Sequence, residues 1–343
     1  MSFGSDLMAI ADGWLMLRVA FAAAVISAVM IKLIRPKLLK HALAKPNARS
    51  SHQIPTPQGA GIAVIAATLT IAGVALAYIS DAGSSFPAVL FGAALFMAAL
   101  GFADDIKPVP VLPRLLLQAI AVGAIVLTSP SDLRIAPSVP FWIERGLLVL
   151  AGLWFVNLVN FMDGLDWMTV AEVVPITAAL ALLGLFGELP LMAAIVAAAL
   201  CGAMIGFAPF NRPVASIFLG DVGSLPIGLL LGWCLLQLAW HQHLAAALLL
   251  PLYYLADASV TLLRRLMRRE PFWIAHRSHF YQRATDNGFT VMQVVSEVVT
   301  LNLALAALAA FSIKAPTSAA TALLIALGAA AVGSTMFRFS RPR

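Results

Sequence analysis

Eleven stretches of about twenty mostly apolar residues follow one another along this 343-residue chain. A helix needs roughly that length to cross a bilayer. Backbone inside lipid must also satisfy its own hydrogen bonds, which restricts spanning structures to helices and closed barrels. The stretches read as helices at 12–34, 59–80, 86–103, 111–129, 143–161, 168–187, 189–208, 223–240, 243–263, 291–311 and 316–336. The division between the sixth and seventh rests on Gly187, Glu188 and Pro190. Only 11% of the residues are charged, less than half of the roughly 25% usual in a soluble domain. The expected fold is an all-α polytopic membrane protein, a single domain over 1–343. The first stretch is long and lacks a small-residue cleavage pattern, so it is expected to remain as a membrane helix. Cys201 and Cys234 both fall in apolar spans and read as small buried hydrophobes.

The net charge of +6 is informative through its placement. Connections after odd-numbered spans carry Arg35, Lys37, Lys40, Lys45, Arg49, Lys107, Arg114, Arg212, Arg264, Arg265, Arg268, Arg269, Arg277 and Arg283. Lys32 and the tail residues Arg338, Arg341 and Arg343 fall on the same side, making 18 of the 22 Lys and Arg. The positive-inside rule then predicts those connections and the C-terminus in the cytoplasm, and the N-terminus on the periplasmic side. No compact basic domain exists to bind nucleic acid. Arg264, Arg265, Arg268 and Arg269 suit anionic lipid headgroups at the membrane surface.

Nearly every unusual polar cluster lies on that basic side, in loops 35–58, 101–114, 157–168, 207–224 and 264–289. A polar side chain at membrane depth is costly and is by default a functional suspect. Asp104 and Asp105 end the third span. Adjacent residues do not share a helix face, so one of the pair is expected to point inward. Carboxylates suit a hard cation such as Mg²⁺ or acid/base work; the bland alternative is a solvated helix end paired with Lys107. Asn157, Asn160, Asp163 and Asp166 recur at every third position, and Gly164 is expected to break the helix, leaving the first three on one stripe. Such a stripe fits a metal or nucleotide site, or interhelical hydrogen bonding. Asp221, Gly223, Ser224 and Pro226 open the eighth span, where a helix N-terminus offers free N–H groups for phosphate; plain capping is the alternative. In the last loop, His276, Arg277, His279 and Arg283 suit phosphate or sugar contacts better than a metal. Asp257, inside the ninth span, is a candidate partner for that cluster.

Taken in order, FADD (102–105), NLVNFMDGLD (157–166), FLGDVGS (218–224) and HRSHFYQR (276–283) resemble the polyprenyl-phosphate N-acetylhexosamine-1-phosphate transferases, and RSSHQIPTPQGAG (49–61) is similar to their first signature. The resemblance implies transfer of a sugar-1-phosphate from a UDP-N-acetylhexosamine to undecaprenyl phosphate, with release of UMP, in a bacterial inner membrane. It implies Mg²⁺ or Mn²⁺ as cofactor, membrane lipids as surroundings and a homodimer as a plausible assembly. By position, Asp221 would ligate the metal with Asn160, and Asp104 or Asp105 would act as acid/base. Asp163 and Asp166 would lie near the nucleotide, and His276, Arg277 and His279 near phosphate or sugar. Three departures stand out: Trp167 follows Asp166 where the family has glycine, Gln58 and Ala60 replace Arg and Gly, and the last loop lacks the triple histidine of the muramyl-pentapeptide branch. The pattern looks closer to the branch that starts O-antigen or other surface polysaccharides. A secondary transporter would place its ionisable residues near the midplane in matched halves, which this chain does not.

Overall fold

A computed structural model describes residues 3–44, 55–79, 87–270 and 276–343, with side chains from residue 12 onward. Lys45, Arg49 and positions 49–54 of the first signature lie outside the described residues, as do 271–275 of the last loop. The protein is a helical bundle: α1 (Phe3–His41), α2 (Gly61–Ile79), α3 (Ala88–Ile106), α4 (Val111–Thr128), α5 (Phe141–Met162), α6 (Met168–Leu185), α7 (Leu191–Phe207), α8 (Asp221–Trp240), α9 (Leu244–Leu249), α10 (Leu252–Met267), α11 (Phe280–Asp286), α12 (Val291–Ile313) and α13 (Ser318–Phe339). Among the described residues the only sheet is a two-residue hairpin, β1 (Leu43–Ala44) with β2 (Thr56–Pro57), in antiparallel register.

Among the described residues, ten helices are long and apolar enough to cross a membrane, one fewer than the sequence suggests. The expected ninth span, 243–263, is instead two pieces, α9 and α10, interrupted around Pro251. Proline lacks an N–H and its ring clashes with the preceding turn, which disfavours a continuous helix at that point. The second piece is amphipathic, burying Tyr253, Tyr254, Asp257, Thr261 and Arg265 while exposing Leu263, Leu266 and Met267. At the other end of the chain, α1 continues through Pro36 to His41, so the first polar connection begins later than position 35.

Helices α7 and α8 are the most enclosed and form the centre of the bundle. Small residues permit this. A Cβ on Gly202 would overlap the backbone of Ala20, and one on Gly206 the backbone of Ala24. A glycine every fourth residue lets α1 lie directly on α7, a close approach that lipid-embedded helices favour because apolar burial alone does not drive their association.

Candidate functional site

Three helices meet without side chains between them where α8 begins. A Cβ on Gly61 would overlap Gly223, and one on Gly101 would overlap Asp221. The backbone of 57–61 is bonded along the preceding segment: Gly59 and Ala60 donate to the Phe218 carbonyl, Gly61 to that of Leu219, and Phe218 donates to that of Pro57. Gly220, with φ +79°, turns the chain into α8, a conformation glycine adopts without steric cost.

The start of α8 is not an open phosphate cradle, contrary to the sequence expectation. Its first two N–H groups are already used by a carboxylate: Asp221 N donates to Asp105 Oδ1 at 2.9 Å and Val222 N to Oδ2 at 3.0 Å. Gly223 N and Ser224 N both donate to the Gly220 carbonyl. The Gln58 amide also donates to Asp105. Asp105 is therefore the anion of this helix N-terminus, where the positive end of the dipole favours it.

Asp104 faces the same junction, so both adjacent carboxylates contribute and the expectation of a single inward residue is corrected. The physical reason is that they occupy the last turn of α3. There α8 lies along one flank and the 107–114 turn along the other, so residues about 100° apart both find partners. Asp104 accepts from Arg114 Nη1 at 2.7 Å and from Val109 N at 2.5 Å, and its carboxyl lies in hydrogen-bonding contact with that of Asp221. Arg114, not the exposed Lys107, is its cationic partner. From α5, Asn160 Nδ2 donates to Asp221 Oδ1 and to the buried Ser224 Oγ, both at 2.8 Å. Two carboxyl groups in contact repel unless a proton or a cation lies between them. Among the described residues no three or more His, Cys, Asp and Glu side chains form a cage. Mg²⁺, however, commonly uses one or two carboxylates, completing its shell with waters and substrate phosphates. Asp104, Asp221 and the Asn160 amide are hard-oxygen groups of that kind.

The remaining candidates on α5 separate. Successive positions three apart rotate about 60° around a helix, and each finds a different neighbour. Asn157 does not join the junction: its Nδ2 donates to Gln118 Oε1 at 2.7 Å, bonding α5 to α4 inside the bundle. Asp163 follows the last residue of α5 and accepts from Thr169 Oγ1. Withdrawal from water raises its pKa to about 6. Asp166 accepts from Ala215 N at 2.9 Å. Trp167 has φ +64°, a left-handed conformation that disfavours a bulky residue. It is fixed by Asn211 Oδ1, which accepts from its backbone N–H at 2.8 Å, and by the Ala208 carbonyl, which accepts from its indole at 2.5 Å.

The last loop reaches this region through α11. Tyr281 Oη donates to the Phe161 carbonyl beside Asn160, and a Cβ on Gly164 would overlap Tyr281. Burial lowers the His276 pKa to about 4, so this ring is neutral near pH 7 and offers hydrogen bonds, not charge. Its Nδ1 lies 2.8 Å from Ser278 Oγ. His279 is buried, with Nδ1 3.1 Å from Asp257 Oδ1. Arg277 pairs with Asp286 at 3.2 Å and contacts Thr285. Arg283 lies 6.0 Å from the Phe280 ring centre.

Sequence reading alone did not single out Arg114, Gln118 or Thr169 as site residues. Each is an ordinary polar residue in sequence, made significant by a partner far along the chain.

These features define a multi-pass membrane protein with a carboxylate-rich site at one end of its bundle. Residues 87–239 match the family model described as Glycosyl transferase family 4. Over 246 residues the chain is 29% identical to a phospho-N-acetylmuramoyl-pentapeptide-transferase of Neisseria gonorrhoeae (strain NCCP11945), covering 66% of this chain and 61% of that protein. It is 25% identical over 287 residues to a probable undecaprenyl-phosphate N-acetylglucosaminyl 1-phosphate transferase of Bacillus subtilis (strain 168), covering 79% and 78% respectively. The chain thus spans about three fifths of the length of the first of these relatives. The matched segment, residues 87–239, holds Asp104, Asp105, Asn160, Asp163 and Asp221, so the likeness to glycosyl transferase family 4 covers the carboxylate-rich site.

Proposed function

We propose that this protein transfers an N-acetylhexosamine-1-phosphate from a UDP-sugar to undecaprenyl phosphate, releasing UMP, at the cytoplasmic face of a bacterial inner membrane. The contact between Asp104 and Asp221, bridged to Asn160 and Ser224, carries this reading. In the reaction an acceptor phosphate oxygen attacks the sugar-bearing phosphorus. The bond from that phosphorus to the bridging oxygen breaks, and its electron pair leaves with UMP. Both reactants are anions, so the site must offset repulsion and hold them in line. Asp104, Asp221 and Asn160 would hold Mg²⁺, which supplies positive charge to the diphosphate. Asp105 is saturated by the α8 backbone and fixes that helix. Asp104 is then the group of the pair placed toward the substrates. Asp163, Asp166, His276, Arg277, His279 and Arg283 frame the nucleotide-sugar side.

An apolar cleft of about 220 Å³ between α4, α5, α8, α9 and α10, lined by Val122, Phe155, Gly228, Trp233, Leu244 and Leu255, suits a prenyl tail that never leaves the bilayer. The product would start a lipid-linked O-antigen or other surface polysaccharide. A second reading, transfer of phospho-N-acetylmuramoyl-pentapeptide, is favoured by the Neisseria relative and opposed by the absence of a triple histidine at 276–283. Purified protein in detergent, given undecaprenyl phosphate, Mg²⁺ and a panel of UDP-N-acetylhexosamines, should release UMP only when lipid and metal are both present. Release with the muramyl-pentapeptide nucleotide alone would select the second reading, and silence with every donor would remove both.

A further inference from the structure

Helix α10 carries a carboxylate, Asp257, whose ion-pair partner is His279. Asp257 is fully buried and accepts five hydrogen bonds. Its Oδ1 takes His279 Nδ1 at 3.1 Å, Phe280 N at 3.0 Å and Thr261 Oγ1 at 3.2 Å; its Oδ2 takes Tyr281 N at 3.1 Å and Tyr253 Oη at 3.2 Å. Phe280 and Tyr281 open α11, a helix of seven residues whose N-cap, His279, makes no side-chain capping bond of its own. A helix that short does not persist unaided. Asp257 therefore supplies its missing cap from another element and, with the same oxygens, grips the ring of the capping residue.

The imidazole is constrained from further directions. His276 stacks on His279 with ring centres 4.9 Å apart, and Tyr281 stacks at 5.7 Å. Tyr281 continues to the Phe161 carbonyl, next to Asn160. A cap alone needs no carboxylate, since Ser, Thr or Asn serve equally well without placing a charge in the interior. What a carboxylate adds is control of an imidazole. Accepting the Nδ1 proton fixes which nitrogen is bare, fixes the ring plane and makes the other nitrogen more basic.

We propose that Asp257 is a positioning residue for the transfer reaction. It holds His279 with Nδ1–H directed inward, so that Nε2 is the atom presented to phosphate or sugar. This rests on the reading of His279 as substrate-facing. The test combines kinetics with a spectroscopic signature, using the full-length chain in detergent. Asp257→Asn is expected to lower kcat about 10- to 100-fold with a smaller change in KM. In the double variant with His279→Gln, the loss is expected to equal that of His279→Gln alone, since one residue acts through the other. In ¹⁵N-histidine-labelled wild type, the His279 signals should show a protonated Nδ1, and Asp257→Asn should shift the proton toward Nε2. Additive losses, full activity in His279→Gln, or a bare Nδ1 in the wild type would each overturn the proposal. The wild-type spectrum needs no variant to fold. It also separates the two ideas: a protein inert toward every donor, with Nδ1 protonated, retains the His279 geometry and loses the transferase reading.

Discussion

The two ends of the bundle both carry buried charges at helix termini, and they treat those charges oppositely. At the end away from the glycine junction, carboxylates meet cations. Glu144 pairs with Arg134 and accepts from Ile135 N and Ala136 N. Arg145, 1% exposed, donates to the carbonyls of Val126, Pro130 and Leu133 and lies over the Phe141 and Trp240 rings. Glu188 receives Lys314 and, at 3.1 Å, His243, so its pKa falls below the usual carboxylate value, chiefly through the Lys314 hydrogen bond. At the junction end, Asp104, Asp105 and Asp221 crowd together with Arg114 as the ion-pair partner of the group, and Asp163 is pushed up to about 6 by burial. A matched end stabilises the fold by itself. An end with surplus negative charge is stable enough to persist yet incomplete, which is the condition expected of a site that receives a cation and its phosphates.

The contrast can be broken most forcefully at its centre. Asp221→Asn should reduce UMP release by 10³-fold or more, the scale expected when a group holding the transition-state charge is lost, while the detergent melting temperature stays level or rises. A melting temperature that collapses with the activity would make Asp221 structural. Gly223→Ala should next reduce the yield of folded protein, because its Cβ would lie 2.7 Å from Gly61 Cα; overpacking of this kind costs about 1–3 kcal/mol or more. Normal yield and activity would show that the junction tolerates separation.

Asp163→Asn tests the raised carboxyl by sign. The folded protein holds its proton up to about pH 6, whereas the ordinary value is 3.8, so ionisation costs stability as pH rises through that interval. The variant should gain about 1–3 kcal/mol at pH 7.5 and nothing below about pH 4, while transfer declines. An equal gain at both pH values would refute the burial argument. Glu188→Gln, at the matched end, should run the other way. It should lose about 0.5–1 kcal/mol at pH 7, a loss that disappears as pH falls below the lowered pKa, with transfer unaffected. Asn157→Leu should have a similarly small effect, of order 0.6–1 kcal/mol in stability, with the rate within a few-fold of wild type.

Much of this was legible in the residues. Apolar runs of bilayer length gave the helices almost one for one, failing at Pro251, where an apolar count over 243–263 outweighed a residue that breaks helices. The motifs at 102–105, 157–166 and 218–224 marked which helix ends would meet. Periodicity could not say which of three neighbouring polar residues on α5 would reach the junction, because that depends on which helix packs against each 60° of surface. Asn157 found α4, Asn160 found α8 and Asp163 found the start of α6. Nor could a capping rule foresee that the N–H groups of α8 would be taken by Asp105, more than a hundred residues earlier.

The absence of side chains where Gly61, Gly101 and Gly223 touch has a consequence for directed evolution. Backbones in direct contact leave no rotamer to repack, so a side chain added at 61 or 101 strikes backbone rather than a yielding side chain. Contacts made through side chains, such as Trp167 with Asn211 and Asp166 with the Ala215 N–H, can exchange partners one at a time. A library that varies the proposed donor specificity should therefore leave Gly61 and Gly101 untouched and place its diversity at such side-chain contacts.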